Sequence, residues 1–230
     1  MEDISWFKFE NRDYDFPCYR HNPKVSKFGW IVLFFAIFVG YLLQLIPNVI
    51  LGGFLFFMVP LVALLYYLNW DVKAIFRKPA AKEVGLAVLL FVGYIIYCIV
   101  IGTVLDAFSL SGSEIVSKSY VTIELLASLI FSLMGEELLK LIPFLFFMRL
   151  VYKYSNNRKL SVIVALLIVI ACFGLLHVAD MKSIVSVLLM QGLGSMFEFY
   201  GYIKTKNVLI PYITHLCTDA FIFIIILLGV

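Results

Sequence analysis

The fold class this sequence predicts is an all-α polytopic membrane helix bundle with about seven transmembrane helices. Three observations predict it. The 230-residue chain is 63% hydrophobic and only 14% charged, where a soluble domain carries roughly 25% charged and 45–50% apolar residues. Its apolar residues gather into seven stretches, each near the ~20 residues that cross ~30 Å of hydrocarbon. Lys and Arg alternate between rich and poor connections, the pattern of the positive-inside rule.

Span one covers 29–46 and span two 49–68, parted by the turn signal Pro47-Asn48. Span three is 85–106, span four 124–150, span five 160–179, span six 183–203 and span seven 209–229. The N-terminal segment carries Lys8, Arg12, Arg20, Lys24 and Lys27, and the next connection has no Lys or Arg. Lys73, Arg77, Lys78 and Lys82 lie after span two, Lys118 alone after span three. Arg149, Lys153, Arg158 and Lys159 follow span four, Lys182 span five, and Lys204 and Lys206 span six. The alternation predicts N-terminus in and C-terminus out. Residues 1–28, polar but carrying Trp6, Phe7, Phe9, Tyr14 and Phe16, read as a cytoplasmic segment that is either amphipathic or flexible. Residues 29–230 read as one transmembrane helical domain. No cleavable signal sequence precedes span one, so that span is expected to stay as an anchor. Trp6, Trp30 and Trp70 fall near predicted boundaries, where interfacial aromatics belong.

Composition also excludes some functions. Basic residues are scattered over many loops with no basic run among aromatics, so no nucleic-acid partner is expected. Cys18, Cys98, Cys172 and Cys217 show no CxxC spacing. They read as small buried hydrophobes, with neither a disulfide framework nor a thiolate zinc site.

The chemistry lies in ionisable residues inside apolar spans. A charge at mid-bilayer costs at least ~2.5–3.5 kcal/mol on insertion scales, so each marks a functional-site candidate. Span four holds Gly135-Glu136-Glu137 followed by Lys140. Adjacent helix positions differ by ~100°, so the two carboxylates point apart, while Lys140 is within pairing distance of either. Gly135 admits a close neighbour. A Glu136–Lys140 ion pair that only locks helices leaves Glu137 and the histidines unexplained. In span five, Phe173 and His177 share a helix face. In span seven, His215 and Asp219 stand one turn apart, suiting a metal pair or a hydrogen-bonded couple. Thr214 and Thr218 are candidate hydroxyl donors. Glu198 in span six reads as a substrate-gate or structural carboxylate.

Together, Glu136-Glu137, Phe173-xxx-His177 and His215-xxx-Asp219, in this order on three spans, resemble the CPBP/Abi family of CAAX protease and bacteriocin-processing intramembrane proteases. The stretch from Gly201 to Pro211 also looks like that family's lead-in to its third motif, and the resemblance covers residues 120–225. It implies an intramembrane endopeptidase. Glu136 would be the general base, His177 would orient the attacking water, and His215 and Asp219 would flank the oxyanion. An ionised Asp219 would repel that oxyanion. It would have to be protonated, orient His215 from behind, or ligate a metal. The set Glu136, His177, His215 and Asp219 could hold zinc, so a metal-free glutamate protease and a zinc hydrolase both remain open. The family's Arg would fall at Leu141, whereas the cation here is Lys140, a shift expected to turn it toward Glu136 and away from Glu137. Glu-Glu-xx-Lys also resembles a related group of intramembrane glutamate proteases.

The spans as drawn place Glu136 and His177 ~15–20 Å apart in depth at 1.5 Å per residue, so one shared site requires tilt, a broken helix or a different end to span five. The implied partners are the lipid bilayer and a peptide or membrane-protein substrate, such as a prenylated C-terminus or a bacteriocin precursor. Short loops and small size point to a bacterial cell membrane. The competing reading is a catalytically silent regulator or immunity protein that binds a membrane sensor or transporter. A proton-relay transporter, the third class, should show internal repeats, and none is visible.

Overall fold

The computed structural model describes residues 6–20, 25–110 and 121–228. Lys24 and Lys118 of the charge alternation lie outside the described residues. So do parts of the 1–28 segment, residue 120 at the start of the family-like region, and residue 229 at the end of span seven.

Helices follow the apolar stretches closely, and no strand occurs among the described residues. They are α1 (Lys27–Leu43), α2 (Val49–Tyr67), α3 (Ala81–Ala107), α4 (Ile123–Ser155), α5 (Arg158–Leu176), α6 (Ile184–Thr205) and α7 (Leu209–Leu228). Side-chain oxygens cap four of their N-termini. Ser26, Asn48, Thr122 and Asn157 accept from the backbone N–H of Gly29, Leu51, Leu125 and Leu160 at 2.9, 3.0, 3.1 and 3.0 Å. Each cap is worth about 1 kcal/mol.

By length and composition α2, α3, α5, α6 and α7 are apolar enough to cross a membrane. α1 is shorter at 17 residues. α4 runs for 33 residues, about 50 Å at 1.5 Å each, and interrupts its apolar surface with Glu136, Glu137 and Lys140. The protein is an integral membrane helix bundle.

α4 is the central post. It packs against α2 and α5 most extensively and also meets α7 and α1, while α3 lies against α7 and α6. Gly53 of α2 lets the backbone of α4 approach, for a Cβ there would sit 3.3 Å from Ser128 O and Ser132 N. α6 is not one regular helix. After a first turn at Ile184–Val187 it opens into a π turn at Leu188–Gly192, tightens to 3₁₀ at Leu193–Ser195, and resumes as α-helix from Met196. The Tyr97 and Tyr94 hydroxyls of α3 donate to Leu189 O at 2.7 Å and Met190 O at 3.2 Å, satisfying carbonyls in the irregular stretch. Gly174 brings α5 onto the same break, since its Cβ would lie 3.1 Å from Gly192 Cα.

The N-terminal segment is neither a surface helix nor a loose tail over residues 6–20. It forms an irregular strap across one end of the bundle. Phe16 is buried against Phe144 and Tyr202, with ring centroids 5.5 and 5.6 Å away. Buried Glu10 accepts from Arg158 and Lys206, both at 2.7 Å. Asp15 takes the other arm of Arg158 at 2.6 Å, and the Arg149 guanidinium donates to Cys18 O at 3.0 Å. Asn207 joins the loop after α2 to this end, donating to Arg77 O at 2.9 Å. The basic connections that the charge pattern assigned to one side therefore converge on one end of the bundle. Burial alone would raise the Glu10 carboxyl, but Arg158 and Lys206 overrule it and hold it below the usual range. Burial also pushes the Lys206 ammonium down to about 8, partly opposed by Glu10.

Two expectations for the tryptophans need correction. Trp30 is buried against Phe146, 5.3 Å between centroids, and Trp6 lies 3.7 Å from the Arg158 guanidinium. Both serve packing; Trp70 is exposed near a helix end. All four cysteines are free; Cys18 is buried, whereas Cys172 is exposed and Cys98 and Cys217 are only partly covered, so burial of all four was overstated.

Candidate active site

Four helices place the site. On α4, Gly135 makes room for α2, since a Cβ there would fall 2.5 Å from the Phe56 ring. This close approach explains the glycine before the Glu pair. One position on, the two carboxylates diverge as helix geometry requires. Glu137 turns inward and is buried, while the Glu136 side chain keeps 21% of its surface.

Lys140 stands one turn below Glu137 and donates to it at 2.6 Å. Its Nζ also bonds Glu198 of α6, and the face of the Phe173 ring from α5 lies 4.8 Å away. The expectation that moving the cation to position 140 would turn it toward Glu136 is therefore wrong. The flexible four-carbon stem bends toward Glu137, because a second carboxylate, Glu198, stands on that side. Of the two readings of Glu198, substrate gate or structural carboxylate, its burial and its bond to Lys140 fit the second. It is 2% exposed and closes the inner wall of the cluster. The signal for it was the same as for the Glu pair, a carboxylate inside an apolar span.

His215 of α7 joins both halves. Its Nδ1–H donates to Glu137 Oε1 at 2.8 Å. Nδ1 also lies 3.9 Å from Glu198 Oε1. On its opposite edge Nε2 faces Glu136 Oε2 at 3.9 Å and Asp219 Oδ2 at 3.7 Å. Asp219 keeps 29% of its side-chain surface, so the Glu136–Asp219 edge is the accessible one and the Glu137–Glu198 edge the sealed one. Thr214 and Thr218 offer nothing to the site. Their hydroxyls bond Ile210 O at 3.1 Å and Thr214 O at 3.0 Å within α7.

His177 caps the C-terminus of α5. Its Nδ1–H donates to Phe173 O at 2.9 Å, and the Phe173 ring packs on it at 4.7 Å. In a neutral ring that bond leaves Nε2 without a proton. The expected difference in depth disappears for a geometric reason. α4 and α5 form an antiparallel hairpin turning at Asn156-Asn157, so residues equidistant from the turn sit level, Lys140 with Phe173 and Glu136 with His177. The extra length of α4 lies beyond α5, at the Ile123 end.

Among the described residues, one set of three ligand-type groups has its atoms within 4.8 Å of one another, namely Glu137, Glu198 and His215. It differs from the four residues expected to bind zinc, sharing only His215. Lys140 Nζ already stands between its two carboxylates, in the place a cation would take. That donor set does not fit a metal while Lys140 is charged.

The model of the Rce1-like family, described as type II CAAX prenyl endopeptidase Rce1-like, matches residues 117–221. Over this stretch, less than half of its length, the chain is similar to the Rce1-like family. The matched region holds Glu136, Glu137, Lys140, Phe173, His177, Glu198, His215 and Asp219, all the residues of the cluster, and begins just before α4. α1 to α3 and the strap lie outside it. No curated protein and no solved structure matches the chain.

Proposed function

We propose that the chain is an intramembrane endopeptidase that hydrolyses a peptide bond at or within the bilayer with water activated by Glu136. The observation that carries this reading is the polarity of His215. Glu137 fixes one ring nitrogen at 2.8 Å, which aims the other at the accessible edge between Glu136 and Asp219. A base, an oriented imidazole and an opening at the same edge are the parts that acyl transfer to water needs.

In this reading Glu136 takes a proton from water as its oxygen attacks the peptide carbonyl carbon. His177 holds that water with its free Nε2. His215, protonated on both nitrogens, donates Nε2–H to the tetrahedral oxyanion, and such a donor is worth ~2.7–4 kcal/mol. Asp219 then need not touch the oxyanion, because it balances the charge of the imidazolium from the next turn of α7. Glu136 returns its proton to the leaving amine as the C–N bond breaks, which leaves one carboxylic acid and one amine product. Lys140 and Glu198 hold Glu137 in place and take no part in proton transfer.

The family description makes a prenylated C-terminal peptide the first substrate to try. Membranes carrying wild type or Glu136→Gln are compared on a farnesylated CAAX peptide and on the host's own small peptide precursors. Loss of a released product by 10²–10⁴-fold in the variant is expected for removal of a general base. Equal release by both proteins overturns the assignment. Because Lys140 fills the place of a cation, we also propose a metal-free reaction. Exhaustive chelation should leave turnover unchanged, and activity that falls with bound zinc and returns on adding it back would reverse that view. Contact between Lys140 and Glu137 supports the peptidase reading over a silent regulator, because the shifted cation still holds a carboxylate of the Glu pair.

A further inference from the structure

The outer face of α1 and α4 carries a long apolar trough that the peptidase reading does not use. At one end Lys27, Trp30, Ile31, Phe34 and Phe146 line a cavity of about 410 Å³. Phe34 also belongs to a second cavity of about 240 Å³ between α1, α4 and α5, which reaches Leu139, Pro143, Cys172 and Phe173. From Lys27 to Tyr41, which lines the second cavity, α1 rises about 21 Å at 1.5 Å per residue. That matches one leaflet of hydrocarbon, about 15 Å, plus part of its headgroup layer. The trough is apolar along its length and cationic only at one end. Lys27 is exposed there. On α4, Arg149 and Lys153 fall on the same helix face as Phe146, one and two turns nearer that end.

We propose that this trough is a binding site for an anionic phospholipid, with its phosphate at Lys27 and one acyl chain lying past Phe34 into the cavity between α1, α4 and α5. Acyl chains are as apolar as the helix surface, so the trough alone selects nothing between lipids. Selection comes from charge at the headgroup end, and a basic residue at a membrane surface favours anionic lipid by about five-fold. The chain end would rest on Phe173, whose ring covers Lys140. A lipid in the trough would thus complete the wall of the charged cluster.

Native mass spectrometry tests this on the full chain, released from nanodiscs that hold equal amounts of phosphatidylglycerol and phosphatidylethanolamine with identical acyl chains. The wild type should retain phosphatidylglycerol about five-fold or more over phosphatidylethanolamine, and Lys27→Gln should bring the ratio close to one. Cys172→Trp, which fills the trough without changing charge, should lower retention of both lipids. Lys27 is on the surface, so its variant decides the matter even if Cys172→Trp does not fold. Equal retention of the two lipids by the wild type, an unchanged ratio in Lys27→Gln, or a lipid-free dimer covering this face would each overturn the proposal.

Discussion

Lys140 is enclosed by Glu137, Glu198 and the Phe173 ring, with 2% of its surface exposed. Replacing it with Met would leave two buried carboxylates facing each other without a counter-charge. Breaking a buried pair in this way costs about 3–5 kcal/mol. Lys140→Met should therefore lower the thermal stability of the purified protein sharply, and adding Glu198→Gln should recover part of the loss. If the two losses simply add, the carboxylates are not sharing this cation. At this scale the sequence was legible in kind but not in pairing. Every ionisable residue of the cluster stood out against its apolar surroundings. Which carboxylate Lys140 would choose depended on Glu198, a residue from another span, and local helix geometry holds no information about that.

The irregular centre of α6 places Glu198, because the π and 3₁₀ turns shift the register of the helix that follows. Two tyrosines of α3 satisfy carbonyls freed there. Tyr97→Phe removes the shorter of those bonds, at 2.7 Å, and should cost about 1 kcal/mol. Hydrogen exchange should rise in the 188–195 stretch ahead of the rest of α6. Uniform exchange would mean that the break is held by packing alone. Helix boundaries were legible because apolar runs, charged loops and capping residues agree with one another. The break was not, since Leu188–Ser195 is as apolar as a regular span and its cause, the hydroxyls of Tyr94 and Tyr97, lies far away in sequence. The depth of His177 was misread because Glu136 was set at mid-membrane and His177 at the far end of span five, although the hairpin turn at Asn156-Asn157 sets their register.

Across the whole molecule, the strap joins the α4–α5 turn to the α6–α7 turn through Glu10, Arg158 and Lys206. Because the Glu10 carboxyl is held below its unfolded value, its contribution is complete above about pH 4.3 and is lost as pH falls through the folded value. Emission from Trp6, which stacks on Arg158, should be steady at neutral pH and change on acidification. The change should be reversible and absent in Glu10→Gln. A profile shared by wild type and variant would assign the transition to another group.

The same ion triad also constrains how the protein is made. Glu10 and Lys206 are 196 residues apart, and at about 5–20 residues per second of synthesis the acid waits roughly 10–40 s for its second partner. During that interval the nascent strap has no complete socket. The strap is thus among the last segments to reach its final place, and a ribosome stalled before Lys206 would hold a bundle whose end is still open.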